Sequence, residues 1–545
     1  MPKNNWDLSD IRPNKESGPI TKFDIMLLVS VMLINIGICL FYFPNHAPSK
    51  LDAFSYYLYA VSVSRDGFPA EYLVTNDGWP LVLSFFFFIF RFENMFDLMN
   101  LQRIISILFT NLTIIPLFFL LRFFVKNKMA IVGTALFGFN PKIIENSLFG
   151  ITEPLYIFLV TIIIFGIIRG SKYFVFCSFA LIACVSIVRY EGLLLFIPLT
   201  ASFFLKNNVK KESIITYGIA LCIFLLIVTP IAIIRMESFG QDGFISHIIG
   251  NGKSTGAIKF LDQYVIQGIP ESDDPIPGKD FENKSDSFII ISLNSMAKFL
   301  ALSSLPYFIF LVPLGFFLFY KKNDIKLFII VLLFLFFLLL PGLYAYGRGI
   351  EETRYLFTLF PLYCIFSIFI INKIFEKRFQ TLHAISITAV ILILSIIFLN
   401  YTIFDFDYEM EVYKITQEIV VVANGVNNYY GSGYAKVAEL EKSWPNLPHV
   451  SKLNKIIIET KRFDASKFNS LDEMIRSSRE DGLTHIVVDN DYRSPQYIRN
   501  ILYNETDYQY LEKIFNSREH GYKHTILIFK INYQKFDNLN SAIKS

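Results

Sequence analysis

A chain of 545 residues that is 53% hydrophobic, with 58 phenylalanines and only 18% charged residues, is too apolar to be an ordinary soluble domain. Its formal net charge of +3 is too small to indicate a nucleic-acid partner, and the lysines and arginines fall in short clusters between long uncharged runs. Cys39, Cys177, Cys184, Cys222 and Cys364 all lie within apolar runs, which argues against a disulfide framework in the polar C-terminal third and reads them as small buried hydrophobes.

The first apolar run, about 24–43, follows Lys3, Arg12, Lys15 and Lys22 and is long enough to span a bilayer. No small-x-small cleavage pattern follows it, so it reads as an uncleaved signal anchor with a cytoplasmic N-terminus. Next comes "KLDAFSYYLYAVSVSR". On a helix, Phe54, Tyr57, Leu58 and Val61 share one face, while Asp52, Ser55, Tyr56, Tyr59 and Ser62 share another. That pattern predicts an amphipathic helix on the membrane surface, with its tyrosines at headgroup level. Asp52 stands at its start, where a carboxylate serves equally as a helix cap or as a functional acid.

The run at 79–92, "WPLVLSFFFFIFRF", has the length of an interfacial or re-entrant segment. Further runs lie at about 103–124, 129–145, 153–169, 173–188, 192–206, 213–235, 297–320, 325–346, 355–372 and 382–402. If 79–92 does not cross, the basic clusters at Lys126/Lys128, Arg169/Lys172, Lys206/Lys210/Lys211, Lys321/Lys322/Lys326 and Lys373/Lys377/Arg378 all fall on the N-terminal, cytoplasmic side. The expected fold is therefore a polytopic α-helical membrane protein of about eleven transmembrane helices, its C-terminus outside. Residues 1–23 form the cytoplasmic N-terminus, and 24–402 the membrane domain with external loops 44–102 and 236–296.

Composition changes abruptly near Asp405, and 403–545 reads as an extracytoplasmic α/β domain. "NKIIIET", "THIVVDN" and "HTILIFKIN" predict short buried strands. "SLDEMIRSSRED" predicts an amphipathic helix capped by Ser470 with Glu473 three residues on, and "DYQYLEKIFNS" predicts another. No Gly-rich phosphate loop or metal-ligand spacing occurs there, which favours a binding or scaffolding module.

Candidate chemistry gathers at the outer ends of spans. Besides Asp52, "NPKIIENSLFGITEPLYIFLV" carries Glu153 at the head of a span, with Glu145 nearby. Glu153 followed by Pro154 is also an ordinary helix start. "SIVRYEGLLLFIP" places Arg189 beside Glu191, and "YAYGRGIEETRYLFTLFP" places Arg348 and Arg354 before another span. Arginine suits bidentate phosphate contacts, and internal pairing such as Arg189 with Glu191 or Arg354 with Glu351 is the alternative.

This ordered series, an aspartate opening a juxtamembrane helix and then "TEPLYIFL", "RYEGLLLFIP" and "TRYLFTLFP", resembles the GT-C membrane glycosyltransferases, nearest the protein O-mannosyltransferase and aminoarabinose-transferase-like group. The resemblance covers 24 to about 402 and leaves the C-terminal domain outside it. It implies transfer of a sugar from a polyprenyl-phosphate donor to a protein, glycan or lipid acceptor at the outer membrane face, with inversion. By position Asp52 is then the essential acid and Arg354 a contact to the lipid phosphate, with Tyr56, Glu153, Arg189 and Arg348 as further substrate contacts. The family often has Asp-Glu where this chain has Asp52-Ala53, which leaves one candidate base instead of two. A divalent metal is the one cofactor left open: Asp52, Glu145, Glu153, His46 and His247 are outer-side donors, but no local spacing unites them, and Asp52, Glu153 and His247 head the candidates. An oligosaccharyltransferase would carry a Trp-Trp-Asp motif in the external domain, and Trp6, Trp79 and Trp444 include no adjacent pair. A transporter or lipid flippase is the rival from another class, although no internal repeat is evident.

Overall fold

The computed structural model describes residues 18–45, 47–49, 51–66, 77–207, 209–239, 242–244, 288–322, 324–347, 349–350, 352–375, 381–422, 429–430, 465, 468–489 and 495–544. Helix α1 (Lys22–Phe41) starts at a capping box: the Asp24 amide donates to Thr21 Oγ1 at 3.1 Å, and the Thr21 amide donates to Asp24 Oδ2 at 2.9 Å. After it come α2 (Leu51–Asp66) and the 12-residue α3 (Gly78–Ile89). At ~1.5 Å per residue α3 is only about 18 Å long, against ~30 Å of hydrocarbon, in keeping with a segment that does not cross alone.

Helix α4 (Met95–Leu121) begins well before its apolar run, because Asn94 caps it by accepting the Phe96 amide at 2.9 Å. Gln102 and Arg103 therefore lie inside a helix, and both are buried. The run at 129–145 is two helices, α5 (Asn127–Gly138) and α6 (Pro141–Ser147). Pro141 has no amide to continue the ladder, and Asn140 caps the second piece. Helices α7 (Glu153–Arg169) and α8 (Lys172–Val188) match their runs closely.

A 3₁₀ turn over Tyr190–Leu195 leads into α9 (Phe196–Asn207), followed by α10 (Lys211–Phe239). The run at 297–320 is likewise two helices, α11 (Phe288–Ser303) and α12 (Phe308–Lys322), bent by 102°. Then come α13 (Ile325–Gly347), a 3₁₀ turn over Thr353–Leu359, α14 (Phe360–Phe375), α15 (Thr381–Thr402) and α16 (Phe406–Val422). Among the described residues six helices are long and apolar enough to cross a bilayer, or seven if the bent pair counts as one. The other apolar runs form shorter helices. Phe85, Phe88, Leu226, Phe310 and Phe317 point outward, as do Cys177 and Cys222, and such a surface needs hydrocarbon as its solvent. The chain is a multi-pass membrane protein.

Helix α2 is packed into the protein over much of its length. Every residue from Tyr56 to Ser62 is buried, Tyr59 to 1% exposure. Helix α3 packs along it and the surrounding core covers the face that the helical wheel leaves polar, so the tyrosines are core residues rather than headgroup anchors.

The C-terminal unit holds β1 (Tyr429–Tyr430), β2 (His485–Val488), β3 (Leu511–Asn516) and β4 (Leu527–Ile531) in the order β1-β2-β4-β3. The β1–β2 pair is parallel and the other two are antiparallel. Two of the expected strands are β2 and β4, while "NKIIIET" lies outside the described residues. Helix α17 (Leu471–Ser478) is capped as expected, with the Glu473 amide donating to Ser470 Oγ at 3.3 Å. Helices α18 (Gln496–Tyr503) and α19 (Tyr533–Lys544) also belong to the described part of the unit.

The expected helix at "DYQYLEKIFNS" is instead strand β3. A bulge between Lys513 and Phe515 inserts one residue, so Leu511, Ile514 and Phe515 acquire the spacing of a helix face while the backbone pairs with β4. Ile486, Val488, Leu527 and Phe529 pack on the unit's own helices. From the opposite face, Val487, Phe515 and Ile528 join the large membrane-domain core together with Tyr413 and Ile415 of α16. The Tyr522 hydroxyl donates to Glu418 at 2.6 Å and the His524 amide donates to Glu411 at 2.7 Å, which tie the sheet to the same helix.

Packing within the bundle depends on close helix approach. A Cβ at Gly315 would collide with the Phe366 carbonyl, whereas one at Gly218 would meet nothing within 4 Å. Gly315→Ala is expected to cost roughly 1–3 kcal/mol by overpacking α12 against α14. Thermal unfolding in detergent should show a lowered midpoint for Gly315→Ala and none for Gly218→Ala.

Candidate functional site

Four separate elements bring charge to one place. Asp52 stands in the first turn of α2, and its carboxylate lies 2.6 Å from Arg354 Nη2. Glu153 is the first residue of α7, with a side chain only 2% exposed, and Pro154 behind it fixes the helix start. Arg189 ends α8 in an extended conformation, and Arg354 sits in the 3₁₀ turn that precedes α14.

The guanidinium groups act as forks. Arg189 Nη1 reaches Glu153 Oε1 at 2.7 Å, while its Nη2 reaches Glu191 Oε1 at 3.1 Å. Arg354 holds Asp52 through Nη2 and Glu352 through Nε, and its Nη1 is 3.9 Å from Glu153 Oε1. The Thr152 hydroxyl donates to Glu153 Oε2 at 3.3 Å. Both arginines approach the ring of Tyr355, Arg189 at 5.4 Å and Arg354 at 5.7 Å from its centroid. Arg189 also lies 5.9 Å from the ring centroid of Tyr156. Glu153, Tyr156, Arg189, Glu191, Arg354 and Tyr355 line a small cavity, with Leu338, Pro341 and Thr358 as its less polar wall, and Asp52 stands beside it on Arg354.

Of the residues singled out in the sequence, Asp52, Glu153, Arg189 and Arg354 converge. Tyr56 does not line this cavity; its side chain is 9% exposed and belongs to the core. Glu145 pairs with Lys142 at 2.9 Å on α6 and stands apart. Arg348, Glu351, His46 and His247 lie outside the described residues. Arg354 takes Glu352 and Asp52 as partners, and the pairing of Arg189 with Glu191 is realised. Tyr156 and Tyr355 carry no motif of their own in the sequence, although Tyr156 follows Glu153 by three positions on one helix and Tyr355 directly follows Arg354. A second buried ion pair, Arg235 with Asp77, joins α10 to the start of α3, and Tyr59 hydrogen-bonds Asp77. Nothing local in the sequence links those three.

A metal does not fit the described donors as they stand. No group of three or more His, Cys, Asp or Glu side chains is arranged to hold one among the described residues. Asp52 and Glu153 are each held by an arginine, which places a guanidinium where a cation would have to sit.

No family model matches the chain, and no curated protein matches it by sequence. Solved structures do. An oligosaccharyltransferase of Archaeoglobus fulgidus in complex with Zn and sulfate aligns with TM-score 0.55 at 12% identity, over 85% of this chain and 68% of that one. Archaeal oligosaccharyltransferase AglB from Archaeoglobus fulgidus, with an inhibitory peptide and a dolichol-phosphate, aligns with TM-score 0.53 at 11% identity, over 86% and 69%. ArnT from Cupriavidus metallidurans bound to undecaprenyl phosphate aligns with TM-score 0.51 at 9% identity, over 94% of this chain and 98% of that one. The chain has the GT-C fold of membrane glycosyltransferases.

Arg189 neutralises two carboxylates of low exposure, so replacing it removes the ion pair of Glu191 and the shorter of the two that Glu153 makes. Arg189→Met is expected to destabilise the protein by about 3–5 kcal/mol, the usual cost of breaking a buried pair. Detergent thermal unfolding, compared with Arg91→Met at an exposed position, checks it.

Proposed function

We propose that this chain is a membrane glycosyltransferase that moves a sugar from a polyprenyl-phosphate donor to a protein, glycan or lipid acceptor at the outer membrane face, with inversion. The observation that carries the reading is Arg354: one guanidinium lines the cavity, holds Asp52 and comes within 3.9 Å of Glu153. The GT-C fold is consistent with it, and so are the two neighbours solved with dolichol-phosphate and undecaprenyl phosphate. The basic clusters between the apolar runs support an inner N-terminus and an outer C-terminal unit. We take 1–23, 24–402 and 403–545 as the domains.

In this reading Arg354 is shared between two states. Without donor it neutralises Asp52. A donor phosphate competes for the fork, draws the guanidinium to the leaving group and frees the carboxylate. Asp52 then takes the proton of the acceptor hydroxyl as its oxygen bonds to the anomeric carbon. The bond from that carbon to the phosphate oxygen breaks on the opposite face, and its electron pair leaves on the polyprenyl phosphate. Arg354 offsets the charge that develops there. The fixed Arg189–Glu153 pair supports Arg354 from behind, and the ring of Tyr355 stands beside both arginines.

The oligosaccharyltransferase neighbours favour one second reading, in which the donor is a lipid-linked oligosaccharide and the acceptor a peptide. Both readings are tested by supplying reconstituted protein with polyprenyl-phosphate sugars and with a lipid-linked oligosaccharide plus sequon peptide. Monosaccharide transfer that falls 10²- to 10⁴-fold in Asp52→Asn, with donor binding retained, is the expected result. Arg354→Met is expected to weaken donor binding as well as transfer. Peptide glycosylation would select the second reading. Transbilayer movement of labelled lipid without any transfer would sink both in favour of a flippase.

A further inference from the structure

We propose that Gln102 is a positioning residue that locks the Asp52-bearing and Glu153-bearing segments to one helix; this rests on the glycosyltransferase reading of that site. The Gln102 Nε2 group donates to the Ala53 carbonyl at 2.9 Å and to the Gly150 carbonyl at 2.7 Å. Ala53 follows Asp52 directly, and Gly150 stands three residues before Glu153. Both amide hydrogens of one buried side chain are thus spent on the two chain segments that carry the paired acids. The orientation of the amide is dictated by its partners, since two carbonyl oxygens accept but cannot donate.

Three further contacts make this a clamp rather than a chance bond. The Gly150 carbonyl also accepts the Trp79 indole N–H at 2.9 Å, which fills its second lone pair from the start of α3. Gly150 has φ 74°, and a Cβ there would come within 2.9 Å of Gln102 Cγ, so only glycine admits both the backbone conformation and the close approach. Next along α4, Arg103 Nη2 donates to the carbonyls of Ala47 at 2.8 Å and Pro48 at 3.2 Å. One turn of α4 therefore holds the backbone on both sides of Asp52 and the approach to Glu153. Arg354 bridges those same acids from the cavity side. With α4 as a common base, the spacing that Arg354 and a donor phosphate must fit is set before either binds.

The prediction separates positioning from bulk stability. Gln102→Met keeps the length and apolar stem but removes both donors. Hydrogen exchange in the segments 51–56 and 148–153 should accelerate together, while the rest of α4 keeps its protection. Trp79→Phe removes only the indole donor and should loosen 148–153 alone; it also serves if Gln102→Met does not fold. In transfer assays Gln102→Met should lower kcat about 10²-fold, the penalty of an ångström-scale misplacement, with little change in donor KM. In an Asp52→Asn background the same change should have almost no further effect, because it acts through Asp52.

Unchanged exchange in both segments would overturn the clamp, whatever the enzyme does. A full multiplicative loss in the Asp52→Asn background would overturn positioning and leave a general fold defect. If the wild type transfers no sugar, the glycosyltransferase reading fails, while the exchange experiment still decides the clamp.

Discussion

Charge carried into apolar surroundings must be paired where it sits, and around this cavity the pairing is done by two guanidinium groups. Arg189 and Arg354 between them reach Glu153, Glu191, Asp52 and Glu352. An arginine fork serves two acids at once because its donors are fixed in a plane, whereas an ammonium would satisfy them only as a point charge. Everything bordering the cavity answers to that arrangement. The short turn at Thr353–Leu359 delivers Arg354, the extended break after α8 delivers Arg189, and the proline-marked start of α7 delivers Glu153. Arg189 is locked between low-exposure partners, while Asp52 is 47% exposed and its partner 23%. The exchangeable pair therefore lies on the open side, where a ligand can reach it.

Such a constellation needs a frame that does not drift. Helices α4 and α7 lie against each other along much of their length, and α4 supplies buried polar donors that reach across to neighbouring backbone. A buried amide left without partners is costly, so each of those donors selects one arrangement of the chain above it. The start of α3 reinforces the frame. A Cβ at Gly78 would meet the Val188 backbone at 2.6 Å, so α3 lies hard against the end of α8, one residue before Arg189.

The C-terminal unit is attached by both chemistry and packing. Alternation along β2 and β4 sends Ile486, Val488, Leu527 and Phe529 to the unit's own core, and Val487 and Ile528 to the core of the membrane domain. A sheet buried on both faces explains why those two segments read as continuous apolar runs. Helix α16 is the mediator, contributing Tyr413 and Ile415 to the shared core and accepting hydrogen bonds at Glu411 and Glu418 from the sheet unit's His524 and Tyr522. The sheet unit is thus a continuation of the bundle's core.

Apolar run length and the turn residues between runs were enough to read a multi-pass helical architecture, the shortness of the segment at 79–92 and two strands of the C-terminal sheet. Those properties are local, since a helix or buried strand needs only its own residues to declare its period. Where a break depends on one proline and one cap, as at Asn140–Pro141, the signal was present but weaker than the hydrophobic run around it. Strand β3 shows the opposite failure: its bulge gives a strand the spacing of a helix, and only pairing with β4 decides between them. The tyrosines of α2 pack in the core rather than facing headgroups, because amphipathicity cannot tell water from a neighbouring helix that packs on the polar side. Asp52, Glu153, Arg189 and Arg354 could be named one by one as acids and bases near span ends. That Arg354 bridges two of them, that Tyr156 and Tyr355 face the same cavity, and that Gln102 holds Ala53 to Gly150 follow only from tertiary structure. These contacts join positions far apart in the chain, and no local pattern encodes a partner that the fold alone brings within hydrogen-bond reach.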